Sequence, residues 1–310
     1  MQHSIEIDGQ KKVLYIPSDL SECDSRQYIE MCELILLYQS EKISYEEMRI
    51  RAVYALLNMK HSERMDVITE TNTLSNIYLI SELIDSFFED NENSQKVIKQ
   101  FYIHNPVPKI TPLWKTYYGP SNGFSNITFG EYVDVLRLFM EFSKTGDFEN
   151  LYLISAILYR KKKSFLLFRK RSENYNGDVR VSYNSAKVEQ RVKEMKSAPI
   201  GFIFGVYLLF ASFQKYLTTA VLPWGDKEID LSLLFLPQAG EESSEAPSDI
   251  PGIGMDSMAF SLAESGAFGN VKEVRNTALW EILVRMYDLR KRDIEEMRKL
   301  KQNGSNQQTS

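Results

Sequence analysis

The stretch from Ile200 to Leu222, IGFIFGVYLLFASFQKYLTTAVL, is the most apolar in the chain. It leaves two solutions, because a segment of this length can cross a bilayer or form the centre of a core. Gln214 and Lys215 interrupt it, and the unbroken apolar run is only about fourteen residues. No clear charge asymmetry flanks it, as a spanning helix would want. It therefore reads as a central buried helix, and the rest of the chain has to supply its cover. The cover is affordable: 310 residues suffice for one large domain or two ordinary ones, with 43% hydrophobic residues, 25% charged, and 17 Phe plus 17 Tyr as core material.

The expected fold class is mainly α, a multi-helix globular domain with a small N-terminal β-hairpin and a second short hairpin further on. SIEI and KVLYI alternate on either side of Asp8-Gly9, a turn signal, so Ser4 to Ile16 reads as the first hairpin. Apolar residues at three- and four-residue steps predict a helix from Ser25 to Gln39. Ser44 and Glu47 have the spacing of a capping box that opens a second helix to about Met59. A third helix is expected from about Glu63 to Phe88. Prolines at 106, 108, 112 and 120 exclude a continuous helix over residues 102–127. Beyond them Asn126 or Thr128 can cap a helix from Phe129 to Ser143, and Gly146-Asp147 separates it from a partner reaching about Arg160.

Two of these segments match in spacing. Ser21 to Tyr38 and Ser125 to Phe142 share Ser first, Tyr eighth, Leu fourteenth and an aromatic last. Each opens a helix-turn-helix pair, 21–60 and 125–161, about a hundred residues apart. A duplication and two independent solutions both give this pattern.

The domain reading follows: 1–160 for the hairpin and helix pairs, 161–236 for a basic hairpin and the buried apolar helix, and 237–257 for a flexible linker rich in Ser, Pro, Gly and acid. A C-terminal helical segment at 258–302 and a disordered polar tail at 303–310 complete it. In the second part Arg160, Lys161, Lys162, Lys163, Arg169, Lys170 and Arg171 flank SFLLF, with strands expected at Ser164–Arg169 and Val179–Tyr183. These seven basic residues are a candidate phosphate or nucleic-acid patch, or a solvated surface around a packed hairpin. The net charge of −5 argues against a general nucleic-acid binder.

Signals for chemistry are sparse. His3, His61 and His104 are far apart, and no metal-ligand spacing, phosphate loop or nucleophile elbow is present. Cys23 and Cys32, nine apart, fit neither a disulfide framework nor a zinc site, so Cys32 reads as a small buried apolar residue. No enzymatic activity, cofactor or metal is expected. The start MQHSIEIDGQKK lacks a basic region followed by an apolar one, so no secretory signal is expected and the chain should remain in the cytoplasm. What remains is a partner surface. The helix from about Thr277 to Lys301 carries an apolar stripe early, and Leu279, Ile282, Leu283 and Met286 are the candidate partner-binding residues, or the face that packs on its own domain.

Several stretches together carry a resemblance. IEIDGQKKVLYIPSDLSECDSRQYIEMCELI places a strand, then Pro17, Leu20 and Glu22, then a helix containing Gln27-Tyr28. GPSNGFSNITFGEYVDVLRLFMEF is followed by LISAILYRKKK, and Leu262 to Met286 holds Gly266-Ala267-Phe268-Gly269 before Asn276, Thr277 and Glu281. This order resembles uncharacterised proteins encoded in the tail-gene clusters of long-tailed phages and prophages, over most of the chain. The resemblance implies a tail assembly factor in the host cytoplasm, a chaperone for the long helical tape-measure protein. Its partner would be that helical client, or another copy of itself, with no nucleic acid and no membrane. A structural tail or connector subunit of the virion is the alternative, and a nucleic-acid-binding or enzymatic protein of unknown type is the third.

Overall fold

The computed structural model describes residues 3–6, 13–59, 67–92, 95–164, 177–224, 226–235 and 255–307. The fold is mainly α with small two-stranded antiparallel hairpins. The helices are α1 (Ser25–Gln39), α2 (Tyr45–Leu57), α3 (Val67–Ser81), α4 (Phe129–Thr145), α5 (Phe148–Leu158), α6 (Val188–Met195), α7 (Ile200–Thr219), α8 (Met255–Glu264), α9 (Val271–Asn276) and α10 (Leu279–Gln307). The strands pair in sequence order as β1 (His3–Glu6) with β2 (Val13–Ile16), β3 (Phe88–Asp90) with β4 (Lys96–Ile98), β5 (Lys109–Ile110) with β6 (Tyr117–Tyr118), and β7 (Val221–Trp224) with β8 (Lys227–Asp230).

The apolar stretch forms α7, and it is the centre of the molecule. Phe202, Ile203, Phe204, Leu208, Leu209, Phe210, Phe213 and Leu217 are all buried. Among the described residues it is the one helix long and apolar enough to cross a membrane, and here protein covers it. Among the described residues a single continuous core runs from Ile16 to Met286 and joins the helix pairs, α7 and the C-terminal helices.

The two matching helix pairs, α1–α2 and α4–α5, both pack on α7. Their eighth residues both hydrogen-bond to α7, one to its backbone and one to a side chain. The Tyr28 hydroxyl donates to the Gly205 carbonyl of α7 at 2.8 Å, and the Tyr132 hydroxyl donates to Gln214 Oε1 of α7 at 3.1 Å. The fourteenth residues, Leu34 and Leu138, are both buried. The shared spacing thus serves one task twice, which is to lay a helix along α7. Between α1 and α7 the approach is close enough that a Cβ on Gly201 would sit 2.1 Å from the Ile29 carbonyl oxygen.

Local chemistry sets the ends of the helices. Asp24 and Gln27 form a reciprocal capping box on α1. Ser44 caps α2 through the Glu47 N–H, but the Glu47 carboxylate turns outward to Arg51, so only half of the expected box exists. Thr128 caps α4, and Gly146 ends it in the left-handed conformation at φ +68°. Several expectations need correction. The third helix gives way at Ser81 to a 3-10 turn over Glu82–Phe87, and residues 60–66 lie outside the described ones. Met255, Asp256 and Ser257, read as the end of the linker, are the first turn of α8. The β3–β4, β5–β6 and β7–β8 hairpins and the helices α6 and α9 were not foreseen. The expected tail at 303 is helical to Gln307.

Buried tyrosines give the core a pH limit. Burial raises the hydroxyl pKa of Tyr28, Tyr102 and Tyr159, and pushes that of Tyr132 up to about 12 from an ordinary 10. A raised folded-state pKa means the stabilisation is complete below pH 10 and is lost as pH climbs through the folded value. Tyr132 alone forfeits about 2 kcal/mol by pH 12. Circular dichroism with absorbance at 295 nm should show tyrosinate formation and loss of helix together, above pH 10, in one cooperative step.

Candidate functional site

Four charged side chains meet in the interior beside α4. Glu131, Arg160 and Arg180 are at most 1% exposed and Asp178 is 5% exposed. Glu131 comes from the first turn of α4, Arg160 from the residue pair after α5, and Asp178 and Arg180 from the segment that returns alongside it. Arg160 Nη1 lies 2.8 Å from Glu131 Oε2, at an angle outside hydrogen-bonding geometry, while its Nη2 donates to Glu131 Oε1 at 3.0 Å and to Asp178 Oδ2 at 3.3 Å. Arg180 Nε donates to Asp178 Oδ1 at 2.9 Å. Arg180 Nη2 also donates to Asp178 Oδ2 at 3.1 Å, and further guanidinium bonds reach the carbonyls of Ile157 and Val181 from Arg160 and those of Leu158 and Asn126 from Arg180. Two cations and two anions cancel, and this is the condition under which buried charge is tolerated.

Three of the four, Glu131, Arg160 and Asp178, line an open cleft of about 850 Å³ that also includes Asn126, Asp134, Lys163, Tyr183, Lys272 and Arg275. Arg275 of α9 meets both carboxylate oxygens of Asp134 at 2.8 Å and reaches Asp256 of α8. Burial alone would lower its pKa, yet the hydrogen bonds and charges of Asp134 and Asp256 carry it above the ordinary value. Tyr183 donates to Asp134 Oδ2 at 2.6 Å, and burial together with that carboxylate raises its pKa, so it stays a neutral donor. Each carboxylate on the cleft has a cation within ion-pair distance. The cleft is therefore polar, and its carboxylates are paired. Among the described residues no group of three or more His, Cys, Asp or Glu could hold a metal ion.

The candidate residues fall apart as sets. Arg160 is not on a basic surface, because the quartet draws it inside. Lys161 and Lys162 are exposed and Lys163 is half-buried, its ammonium donating to the Asp178 carbonyl at 2.8 Å. Arg169, Lys170 and Arg171 lie outside the described residues, as does most of the expected strand Ser164–Arg169. The pairing that is present joins residues 161–163 to 179–181, through Lys163 N to Val179 O and Val181 N to Lys161 O. The candidate partner face is also corrected. Leu279, Ile282, Leu283 and Met286 are between 0% and 7% exposed and belong to the core, so they hold α10 to the body.

What α10 offers lies further along. From Lys291 to Lys299 every residue but Ile294 is exposed, and the helix continues to Gln307. The exposed part of this arm, Lys291 to Lys299, is about 13 Å long at 1.5 Å per residue. Pairs at helical spacing, Arg292–Asp288 at 2.8 Å and Lys291–Glu295 at 3.8 Å, support it in the absence of a core. Its described apolar side chains, Ile294 and Met297, lie three apart on one stripe, with Met297 41% exposed. Cys23 and Cys32 are buried free thiols; burial first, with the carboxylates of Asp19 and Asp24, pushes Cys23 up, and burial raises Cys32, so neither is poised as a thiolate. Compared with protein-family models, curated proteins and solved structures, the chain has no significant match.

Proposed function

We propose that this protein is a non-catalytic assembly factor for the tail of a long-tailed phage, and that its client is a helical protein of the tape-measure kind. The observation that carries the reading is the free arm of α10. A helix anchored by four buried residues and then extended into solvent, with one narrow apolar stripe among charges, suits pairing with another helix. A client that is long and helical presents such stripes repeatedly. The polar cleft fits the same reading as a structural clasp, since its carboxylates are paired with arginines of the same chain. The sequence resemblance supplies the phage context, and the arm supplies the surface.

The test is affinity purification of the tagged chain from phage-producing cells, with mass spectrometry of captured proteins and of purified virions. Capture of a long helical tail protein, with the chain absent from finished particles, is the expected result. An abundant presence in virions would instead make it a structural tail or connector subunit.

A further inference from the structure

The loop between β5 and β6 ends in an exposed apolar tip. Trp114 is 97% exposed and Leu113 58% exposed. Both have left-handed backbone, at φ +64° and φ +45°, without a glycine in the loop. Such conformations cost on the order of 1–3 kcal/mol each and persist where the surroundings impose them. Here Pro112 is buried beneath the tip, the Lys115 N–H bonds the Pro112 carbonyl at 3.0 Å, and Thr111 and Thr116 join hydroxyls at 3.2 Å across the base. The loop is thus held in a shape that turns two large apolar side chains outward.

Lysines surround it. Lys109 begins the hairpin and Lys115 follows Trp114, and both are exposed. Tyr118 pairs with Arg160 in antiparallel register, so the chain after Arg160 runs back toward the tip. That brings Lys161 over the Tyr117 ring at 5.8 Å, and Lys162, exposed, is the next residue along. Glu194 of α6 is the acid within reach, at 2.6 Å from Lys115 and 3.8 Å from Lys161. The tip is therefore a basic end on a chain of net charge −5.

We infer that Leu113 and Trp114 insert into an anionic lipid surface, with Lys109, Lys115, Lys161 and Lys162 against the headgroups. The shape favours lipid over other anionic partners. The tip is convex and isolated, whereas single-stranded nucleic acid is bound in grooves with successive stacking rings, to which leucine adds nothing. Tryptophan is at home at the depth of the headgroups, and lysines near an anionic leaflet add to the attraction. One small wedge with a few lysines makes the association reversible and salt-sensitive. The inference stands apart from the assembly reading, because no residue of α10 enters it.

Sedimentation with phosphatidylcholine/phosphatidylglycerol vesicles tests it, using the full chain. The chain should sediment with these vesicles, remain in solution with phosphatidylcholine alone, and show a blue shift of tryptophan emission on binding. Trp114→Ala, at a solvent-exposed position, should keep its melting temperature, bind about tenfold more weakly and lose the shift. Lys109→Gln combined with Lys162→Gln should weaken binding by about fivefold for each charge removed. Absence of sedimentation with the anionic vesicles would overturn the proposal, and so would binding that Trp114→Ala leaves unchanged.

Discussion

Arg160→Met is expected to destabilise the fold by about 3–5 kcal/mol, a large share of what a domain of this kind has in reserve. The reason is arithmetic on the quartet. Methionine fills much of the volume but leaves Glu131, 1% exposed, with Arg180 as its remaining cation at 3.6 Å. The carbonyls of Ile157 and Val181 lose their donors at the same time. The charge left behind causes most of the damage, so adding Glu131→Gln should recover part of it. Urea denaturation of the two single variants and the double variant measures this as a coupling energy. A loss below about 1 kcal/mol for Arg160→Met would mean that water or movement relieves the buried carboxylate, and the clasp would not exist as described.

Gly201→Ala carries the second large effect, and its sign is the less obvious. On propensity alone alanine in a helix gains about 1 kcal/mol over glycine. At this position the added methyl would lie 2.1 Å from the Ile29 carbonyl oxygen and 2.9 Å from Glu33 Cβ. Neither is the far end of a flexible side chain, so α1 and α7 have to separate. Separation also disturbs Gly205, where a Cβ would lie 2.7 Å from the Tyr28 ring, and the Tyr28–Gly205 hydrogen bond. Overpacking costs of about 3 kcal/mol or more then outweigh propensity, for a net loss of about 2 kcal/mol. Thermal melts should show a lowered midpoint for Gly201→Ala and a larger drop for Gly201→Val. An unchanged or raised midpoint would contradict the close crossing of the two helices.

Much of this fold was legible where local chemistry decides it. The density of apolar residues from Ile200 onward announced α7, Thr128 and Gly146 marked the ends of α4, and four prolines excluded helix from residues 102–127. The matching spacing of Tyr28 and Tyr132 also meant something physical, since both hydroxyls bond to α7. What failed depended on partners distant in the chain. Arg160 among three lysines looks like surface, and only the fold brings Glu131 and Asp178 to it. Leu279, Ile282, Leu283 and Met286 form an apolar stripe, and a stripe reads the same whether it faces a partner or its own core. The exposure of Trp114 had no sequence signal, because its loop takes left-handed conformations without glycine. Nor did Asn303-Gly304 stop α10, although both residues commonly end helices.

The arm of α10 is the surface on which the proposed function rests, and its stripe can be altered without touching the core. The most direct measurement is the client captured by the full-length tagged chain from phage-producing cells, compared with Ile294→Asp combined with Met297→Asp. Both positions lie beyond the buried anchor of the helix, so the melting temperature should stay within a few degrees. The expected result is loss of the helical tail protein from the captured set. Undiminished capture by the folded variant would contradict the account and move the binding surface away from the arm.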